Sequence, residues 1–173
     1  MSKSNQFLLK FIGLKDGDHD FEYDLDNKFF ISYDYLDFND CSIKIKIQLI
    51  KKATVLELNI KGIGIANINC TLSNEPFDYE INSTMKVLVK FGDKHDYSND
   101  ELIILPHGSH SVELDQLFYE MIVLSMPIRN VNPGIEDGSI KSDILNRLKD
   151  FDINKEKSSN FDPRWEKLKQ LKK

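Results

Sequence analysis

Two long alternating segments between residues 55 and 91 constrain the fold more than any other feature of the sequence. In the first segment, apolar side chains alternate with polar ones at Leu56, Leu58 and Ile60. Because successive side chains of a strand point to opposite faces, this period of two indicates strands with one buried face. The stretch therefore predicts a single β-hairpin over residues 55–91, which turns at Cys70–Phe77. In the second segment every apolar side chain falls on an odd position: Phe77, Tyr79, Ile81, Met85, Val87, Val89 and Phe91.

Glycines interrupt the first arm of this hairpin. Beyond Gly62 and Gly64, we interpret the apolar positions from Ala66 to Leu72 as a change of phase. A slip of one residue would exchange the two faces of the strand, and a β-bulge would restore them. The sequence thus predicts a bulge near Gly62–Ala66, which would curl the sheet.

Shorter segments predict the remaining elements. Asp26 has the character of an N-cap for a short helix, Asn27–Tyr33. Residues 92–101 are polar and predict a loop, and His107–His110 predicts a second turn. Strands are expected at Gln6–Leu14, Phe21–Leu25, Ser42–Gln48 and Leu102–Leu105.

One strongly amphipathic segment predicts the main helix, residues 114–125, which ends before Pro127. Its apolar face would pack on the sheet. We therefore expect an α+β fold: a curled antiparallel β-sheet of about five to six strands, barrel- or sandwich-like, with one main helix packed on it. The expected core domain is 1–127, and 128–173 forms a loop, a short helix that begins near Ser139 and a helical C-terminal tail. In that tail Asp162 would cap a helix with Pro163 in its first turn.

Charge is distributed unevenly along the chain, whose net charge is -5. The segment from Asp16 to Asp40 holds nine acidic residues and one lysine, whereas residues 164–173 hold five basic residues and one acidic residue. A contact with a polyanion is therefore expected in the tail rather than in the body. Six aromatic side chains between Phe21 and Tyr35 could stack on bases, but their spacing among acids favours a role in the core.

Two cysteines, Cys41 and Cys70, are too few for a disulfide framework. No apolar run reaches the length that a membrane span needs, and no signal-peptide pattern opens the chain. These features predict a cytoplasmic protein with reduced thiols.

Catalytic and metal-binding patterns are weak. The loops contain Asp93, His95, Asp96, His107 and His110, but their spacing fits no defined metal motif. Ser109 lies between two histidines without the strand-to-helix motif of a nucleophile. We therefore expect no enzyme activity, no cofactor, no metal and no small-molecule substrate.

Four stretches resemble one known family. The turn Cys70–Phe77 (CTLSNEPF) resembles the Cys-x-x-Cys-x-Glu-Pro-Phe turn of the YceD-like family, described as large ribosomal RNA subunit accumulation proteins. The segment 112–127 resembles the acidic, leucine-rich helix of that family, and 162–171 is similar to its Asp-Pro-Arg-Trp ending. The opening, Gly13–Tyr23 followed by Asn27–Phe30, is similar to Bacteroidetes-type members. The family turn motif here comprises Cys70, Glu75, Pro76 and Phe77.

The chain also departs from the family pattern. Ser73 stands where the family has its second turn cysteine, and residues 129–134 lack the cysteine pair that many members carry there. Since structural zinc usually needs four ligands, a zinc site is not transferred to this chain.

The resemblance implies a non-enzymatic factor for ribosomal RNA accumulation and large-subunit assembly, with ribosomal RNA or large-subunit ribosomal proteins as partners. A protein-interaction module without RNA contact, which uses the acidic surface 16–40, stays open as an alternative. The residues expected to contact RNA or a partner lie in the tail: Arg164, Trp165, Lys167, Lys169, Lys172 and Lys173.

Overall fold

The computed structural model describes residues 7–93, 96–99, 101–136 and 147, with the backbone alone at 96–99. Contacts divide the chain into two units, Met1–Asn132 and Pro133–Lys173. None of the described helices is long and apolar enough to cross a membrane. The predicted boundary at residue 127 stays a prediction. The helices expected after Ser139 and after Asp162 lie outside the described residues.

The described strands are β1 (Leu8–Lys10), β2 (Gly17–Asp26), β3 (Phe38–Lys51), β4 (Val55–Asn69), β5 (Pro76–Gly92), β6 (Asp96–Asn99), β7 (Leu102–Pro106) and β8 (Ser111–Glu113). The described helices are α1 (Asn27–Ile31), α2 (Asp115–Ser125) and α3 (Pro133–Glu136), the last in the second unit. The predicted α+β class is confirmed.

The predicted hairpin is confirmed as β4 and β5, which pair from Val55 opposite Lys90 to Asn69 opposite Pro76. It forms the centre of a six-stranded sheet with the order β2-β3-β4-β5-β7-β6. Strands β1 and β8 form a separate antiparallel pair. The larger sheet is open, so the described residues form no closed barrel. The predicted curl stays a prediction.

The expectation of a wholly antiparallel sheet is wrong, because β5 and β7 pair in parallel. Two parallel strands need a connecting segment that carries the chain from the end of β5 back to the start of β7. Strand β6 lies in that segment and pairs with β7 in the antiparallel sense. Residues 92–101, predicted as a loop, therefore contain a strand. Strand β6 has the sequence DYSN, which lacks an alternating apolar pattern.

The predicted bulge near Gly62–Ala66 is also wrong. Strand β4 keeps its pairing with β3 and β5 in unbroken register along this stretch. Ala66 and Ile68 lie at even positions, as Leu56 does, and therefore point to the same buried face. The register shift in this part of the sheet lies in β3, between Phe38 and Asp40.

The glycines of β4 permit close contacts rather than a bulge. A Cβ atom built on Gly62 would lie 2.8 Å from Cδ1 of Ile122 in α2. A Cβ atom on Gly64 would lie 2.2 Å from the carbonyl oxygen of Ser42 in β3. Only glycine leaves room for these neighbours.

Helix α2 covers the buried face of the sheet with Leu117, Phe118, Met121 and Ile122. Leu124 of the same helix is 78% exposed and is not part of this buried face. Below the helix, the core is built from alternate residues of the long strands. Its fully buried members include Leu9, Ile43, Ile45, Ile47, Leu49, Leu56, Leu58, Ile60 and Ile68.

The predicted cap of α1 is confirmed, since the backbone N–H of Phe29 donates to Oδ1 of Asp26 over 3.2 Å. Phe29 and Phe30 are buried, as expected of core residues. Their edges meet other rings: Phe29 contacts Phe7 at 5.0 Å and Phe30 contacts Phe38 at 4.9 Å between centroids. The remaining members of the aromatic cluster, Phe21, Tyr23, Tyr33 and Tyr35, are only partly buried.

Candidate functional site

The family turn motif forms a tight corner between β4 and β5. The backbone N–H of Cys70 donates to the carbonyl of Glu75 over 2.9 Å, and the N–H of Asn74 donates back to the carbonyl of Cys70 over 2.8 Å. Asn74 adopts a left-handed conformation with φ 59°, which a tight turn often needs. Cys70, Ser73 and Phe77 are buried, whereas the side chains of Glu75 and Pro76 are exposed.

This corner packs against residues 130–132. Both the backbone N–H and the hydroxyl of Thr71 donate to the carbonyl of Asn130, at 2.7 and 3.0 Å. The N–H of Asn132 donates to Sγ of Cys70 over 3.5 Å. The corner thus contacts residues 130–132 of the segment 129–134, where the resemblance described above implies a cysteine pair that this chain lacks. Here the contact is made by hydrogen bonds.

The Cys70 thiol has an unusual environment. Burial raises its pKa, but hydrogen bonds from the backbone N–H groups of Asn132, Ser73 and Leu72, and from the Ser73 side chain, outweigh burial and lower the pKa to about 7. Cys41 shows the opposite case, because burial, helped by Asp40 and Asp26, raises its pKa to about 12. A thiolate at Cys70 is therefore stabilised by the backbone N–H of Asn132 and by donors of the turn.

The outer face of the sheet carries a line of lysines, which we call the lysine stripe: Lys44, Lys46, Lys61 and Lys86. Lys46 and Lys61 lie directly opposite each other on β3 and β4. Lys86 lies opposite Asn59, two residues along β4 from Lys61, so it is the diagonal neighbour of Lys61. All four lysine side chains are exposed.

The stripe borders a shallow groove of about 720 Å³ on this face. Its lining includes Lys46, Lys61 and Lys86 with the neutral side chains Gln48, Asn59 and Thr84 between them. Two acidic residues of β2, Asp20 and Glu22, also line the groove on one side. Glu22 lies 3.5 Å from Lys46 and 4.0 Å from Lys44, and Asp24 lies 4.0 Å from Lys44.

A second surface feature, the acid–tyrosine patch, comprises Tyr33, Tyr35, Tyr119, Asp37 and Asp115. The rings of Tyr33 and Tyr119 stack at 4.5 Å and 11°. The hydroxyl of Tyr33 donates to Oδ2 of Asp115 over 2.8 Å. Burial and the neighbouring carboxylates, Asp115 first, raise the pKa of Tyr33, and burial with Asp37 raises that of Tyr35 to about 12. These tyrosines therefore stay neutral at physiological pH.

The loop residues considered as metal ligands do not form a site within the described structure. In the part of the chain that the structure describes, no group of three or more His, Cys, Asp or Glu side chains is arranged to hold a metal ion. His107 and His110 lie in the turn before β8, and Ser109 there donates its hydroxyl to the carbonyl of Pro106 over 2.8 Å. His95 and the side chain of Asp96 lie outside the described part of the chain.

The expected contact residues of the tail, Arg164, Trp165, Lys167, Lys169, Lys172 and Lys173, also lie outside the described residues. The lysine stripe was not foreseen as a site. The sequence does show Lys44 and Lys46 alternating with buried isoleucines. Only the pairing of the strands in the sheet places Lys61 and Lys86 beside them.

Comparison with known proteins decides the family. The family described as "Large ribosomal RNA subunit accumulation protein YceD" matches residues 58–172, more than half of the chain. The chain belongs to this family. The match includes the turn Cys70–Phe77, most of the hairpin and helix α2. The comparisons with curated proteins and with solved structures gave no match. The resemblance in the turn, the helix and the tail is thus confirmed at the level of the YceD family.

Proposed function

We propose that this YceD family chain is a non-enzymatic factor that supports the accumulation of 23S ribosomal RNA and thereby the biogenesis of the large ribosomal subunit. The observation that carries the proposal is the family match over residues 58–172. A cytoplasmic location, where ribosomes are assembled, is part of the proposal.

A non-enzymatic role is proposed because the chemically perturbed groups serve structural contacts. Cys70 accepts hydrogen bonds within its own turn and is 1% exposed. Tyr33 donates to Asp115 and stacks on Tyr119. These groups belong to different parts of the fold, the hairpin turn and the contact of the segment after α1 with α2, so they do not converge on one substrate position.

The tail is the first proposed contact with RNA or a ribosomal partner. Arg164, Lys167 and Lys169 supply positive charge, and Trp165 supplies an aromatic surface for stacking or docking. Lys172 and Lys173 extend the charge to the end of the sequence. Truncation after Asn160 is expected to leave the sheet folded and to weaken co-sedimentation with large-subunit precursors. Unchanged co-sedimentation would remove the tail from the mechanism.

A second candidate function is binding of a basic protein without RNA contact. The acid–tyrosine patch favours it, because tyrosine is enriched at protein interfaces and its ring also attracts arginine and lysine. Leu36, 74% exposed, lies between Tyr35 and Asp37 in sequence and adds apolar surface. Capture of a basic ribosomal protein from RNase-treated extract would favour this candidate. Loss of all partners after RNase treatment would count against it.

The test of the proposed function is deletion of the gene in the source organism, followed by measurement of the ratio of large- to small-subunit ribosomal RNA. We expect the ratio to fall and the full-length chain to restore it. A variant with Cys70 replaced by Ser should also restore the ratio, since no metal or catalytic role is assigned to the turn. An unchanged ratio after deletion would overturn the proposal.

A further inference from the structure

The lysine stripe leaves positive charge without a partner on the sheet surface. Lys44 and Lys46 have carboxylates of β2 within 4.0 Å. Lys61 and Lys86 form no ion pair within the described residues, and Lys61 faces Lys46 directly. Like charges directly opposite each other in a sheet are destabilising. The folded chain therefore carries a repulsive arrangement that a bound polyanion would relieve.

From this arrangement we propose that the lysine stripe binds the phosphate backbone of RNA. This inference rests on the proposed function and adds to it a specific surface on the folded body of the chain. This surface is separate from the tail, where the charge distribution of the sequence predicts a contact with a polyanion.

The geometry of the stripe suits an extended polyanion. From Lys44 on β3 to Lys86 on β5, the four positions follow a diagonal over three neighbouring strands. Strand spacing and residue rise give this line a length of roughly 16 Å. The acidic residues of β2 border it on one side, so a bound phosphate chain would be repelled from that edge and held along the stripe.

The side chains between the lysines suit RNA in their chemistry. Gln48, Asn59 and Thr84 can donate and accept hydrogen bonds with phosphates and 2′-hydroxyls. Ile63 lies two residues after Lys61 on β4. Its side chain is 44% exposed and offers an apolar contact for a sugar or base. The outward positions of β3, β4 and β5 hold no aromatic residue. Base stacking is therefore absent from this contact, and binding should depend strongly on salt and weakly on sequence.

The test uses the purified full-length chain and a fluorescent single-stranded polyuridine oligonucleotide, with affinity measured by anisotropy over a series of salt concentrations. The variant Lys46→Glu/Lys61→Glu/Lys86→Glu should bind at least about tenfold more weakly at low salt. Its slope of log affinity against log salt should fall by about two, as three lost phosphate contacts predict for a single strand.

A matched control separates the stripe from net charge. The variant Lys10→Glu/Lys15→Glu/Lys28→Glu changes the same charge at three exposed lysines outside the stripe. It should keep the affinity within about twofold. Equal losses in the two triple variants, or no loss in the stripe variant, would overturn the proposal. The proposal would also be overturned if polyglutamate displaced the labelled RNA as effectively as unlabelled polyuridine does, since the surface would then fit an acidic protein.

Misfolding of the triple variant would not leave the proposal untested. The single variant Lys61→Glu places a carboxylate opposite Lys46, so it should fold at least as well as the parent chain and still bind RNA more weakly. Full RNA affinity in this folded variant would overturn the proposal. Replacement of the five basic tail residues by Gln should leave RNA binding by the stripe measurable. If the tail variant loses all RNA binding while the triple stripe variant binds as tightly as the parent chain, the inference is contradicted.

The cellular experiment distinguishes this inference from the function on which it rests. If deletion lowers the ribosomal RNA ratio and the stripe variant restores it fully, the stripe proposal fails and the function stands. If deletion leaves the ratio unchanged, the function fails, whatever the RNA affinity of the stripe.

Discussion

Lys46 and Lys61 lie directly opposite each other on neighbouring strands of the exposed sheet face. The same sheet has a neutral row next to them, where Gln48 lies opposite Asn59 and accepts a long hydrogen bond of 3.5 Å from its side-chain amide. The repulsion between the two lysines is a local cost to stability, which the ion pair of Lys46 with Glu22 at 3.5 Å offsets in part.

The variant Lys61→Glu should therefore stabilise the chain. A carboxylate at residue 61 would face Lys46 and convert a repulsive cross-strand pair into an attractive one, worth about 0.2–1 kcal/mol. Urea unfolding at low salt would measure the gain, and added salt should reduce it. Lys10→Glu, at an exposed position opposite Ser111, serves as the control and should show no comparable gain. A destabilised Lys61→Glu chain would contradict the assigned register.

The glycines of β4 should differ in their tolerance of alanine. At Gly62 the added Cβ would meet the flexible end of Ile122, which can shift, so the cost should be about 1–3 kcal/mol. At Gly64 it would meet the backbone of Ser42 and Ile43 at 2.2 and 2.6 Å, and backbone cannot move as cheaply. Gly64→Ala should thus cost more than Gly62→Ala in the free energy of unfolding. The reverse order would show that the β3–β4 contact is wrongly described.

Removal of the α1 cap should destabilise the aromatic part of the core. Asp26→Ala leaves the N–H of Phe29 without its acceptor, at a cost of about 0.5–2 kcal/mol. Asp26→Asn keeps a side-chain oxygen at the cap and should retain most of the stability. Thermal unfolding of both variants checks the prediction, and equal losses in the two would show that charge rather than the hydrogen bond matters.

The Cys70 thiol should make stability depend on pH. Its pKa of about 7 in the folded chain lies below 9.0, the ordinary value of a cysteine thiol. Between these two values the unfolded chain binds more protons, so the stability from the thiolate is fully present above about pH 9 and is lost as pH falls through 7. Compared with Cys70→Ala, the parent chain should gain stability as pH rises from 7 to 9.

Thermal unfolding across this pH range provides the measurement. Cys41→Ala is the control, because the raised pKa of Cys41 keeps its thiol protonated in the folded chain throughout the range, whereas the same thiol begins to ionise near pH 9 in the unfolded chain. The parent chain should therefore lose a little stability relative to Cys41→Ala as pH approaches 9, the opposite sign to the change expected for Cys70. A pH-independent difference between the parent chain and Cys70→Ala would contradict the hydrogen-bonded thiolate.

Local patterns were sufficient for part of this fold. The alternation in residues 55–91 specified both arms of the hairpin, and Asp26 specified the start of α1, because each depends on neighbours in sequence. The parallel pairing of β7 with β5 and the existence of β6 depend on contacts between distant segments, and the sequence DYSN has no periodic signal for them. The predicted bulge is wrong because the apolar residues before and after Gly62 and Gly64 all occupy even positions, so the strand keeps one phase. The two glycines interrupt the apolar pattern, and this interruption resembles a change of phase.

The candidate site shows the same division. The turn motif at Cys70–Phe77 was visible as a contiguous pattern that led to the correct family. The lysine stripe is assembled from three strands, and only the register of the sheet makes Lys61 the neighbour of Lys46 and Lys86. The contact of Thr71 with Asn130 likewise joins residues far apart in sequence. Such contacts carry no signal within a single segment.

The most direct test of the account is crosslinking in living cells, followed by sequencing of the RNA and identification of the proteins bound to this chain. The account predicts enrichment of large-subunit ribosomal RNA and its precursors, with weaker crosslinking for the variant Lys46→Glu/Lys61→Glu/Lys86→Glu than for Lys10→Glu/Lys15→Glu/Lys28→Glu. Recovery of proteins without enrichment of large-subunit ribosomal RNA would contradict direct RNA contact. Recovery of neither this RNA nor large-subunit proteins would contradict the proposed role in ribosome biogenesis.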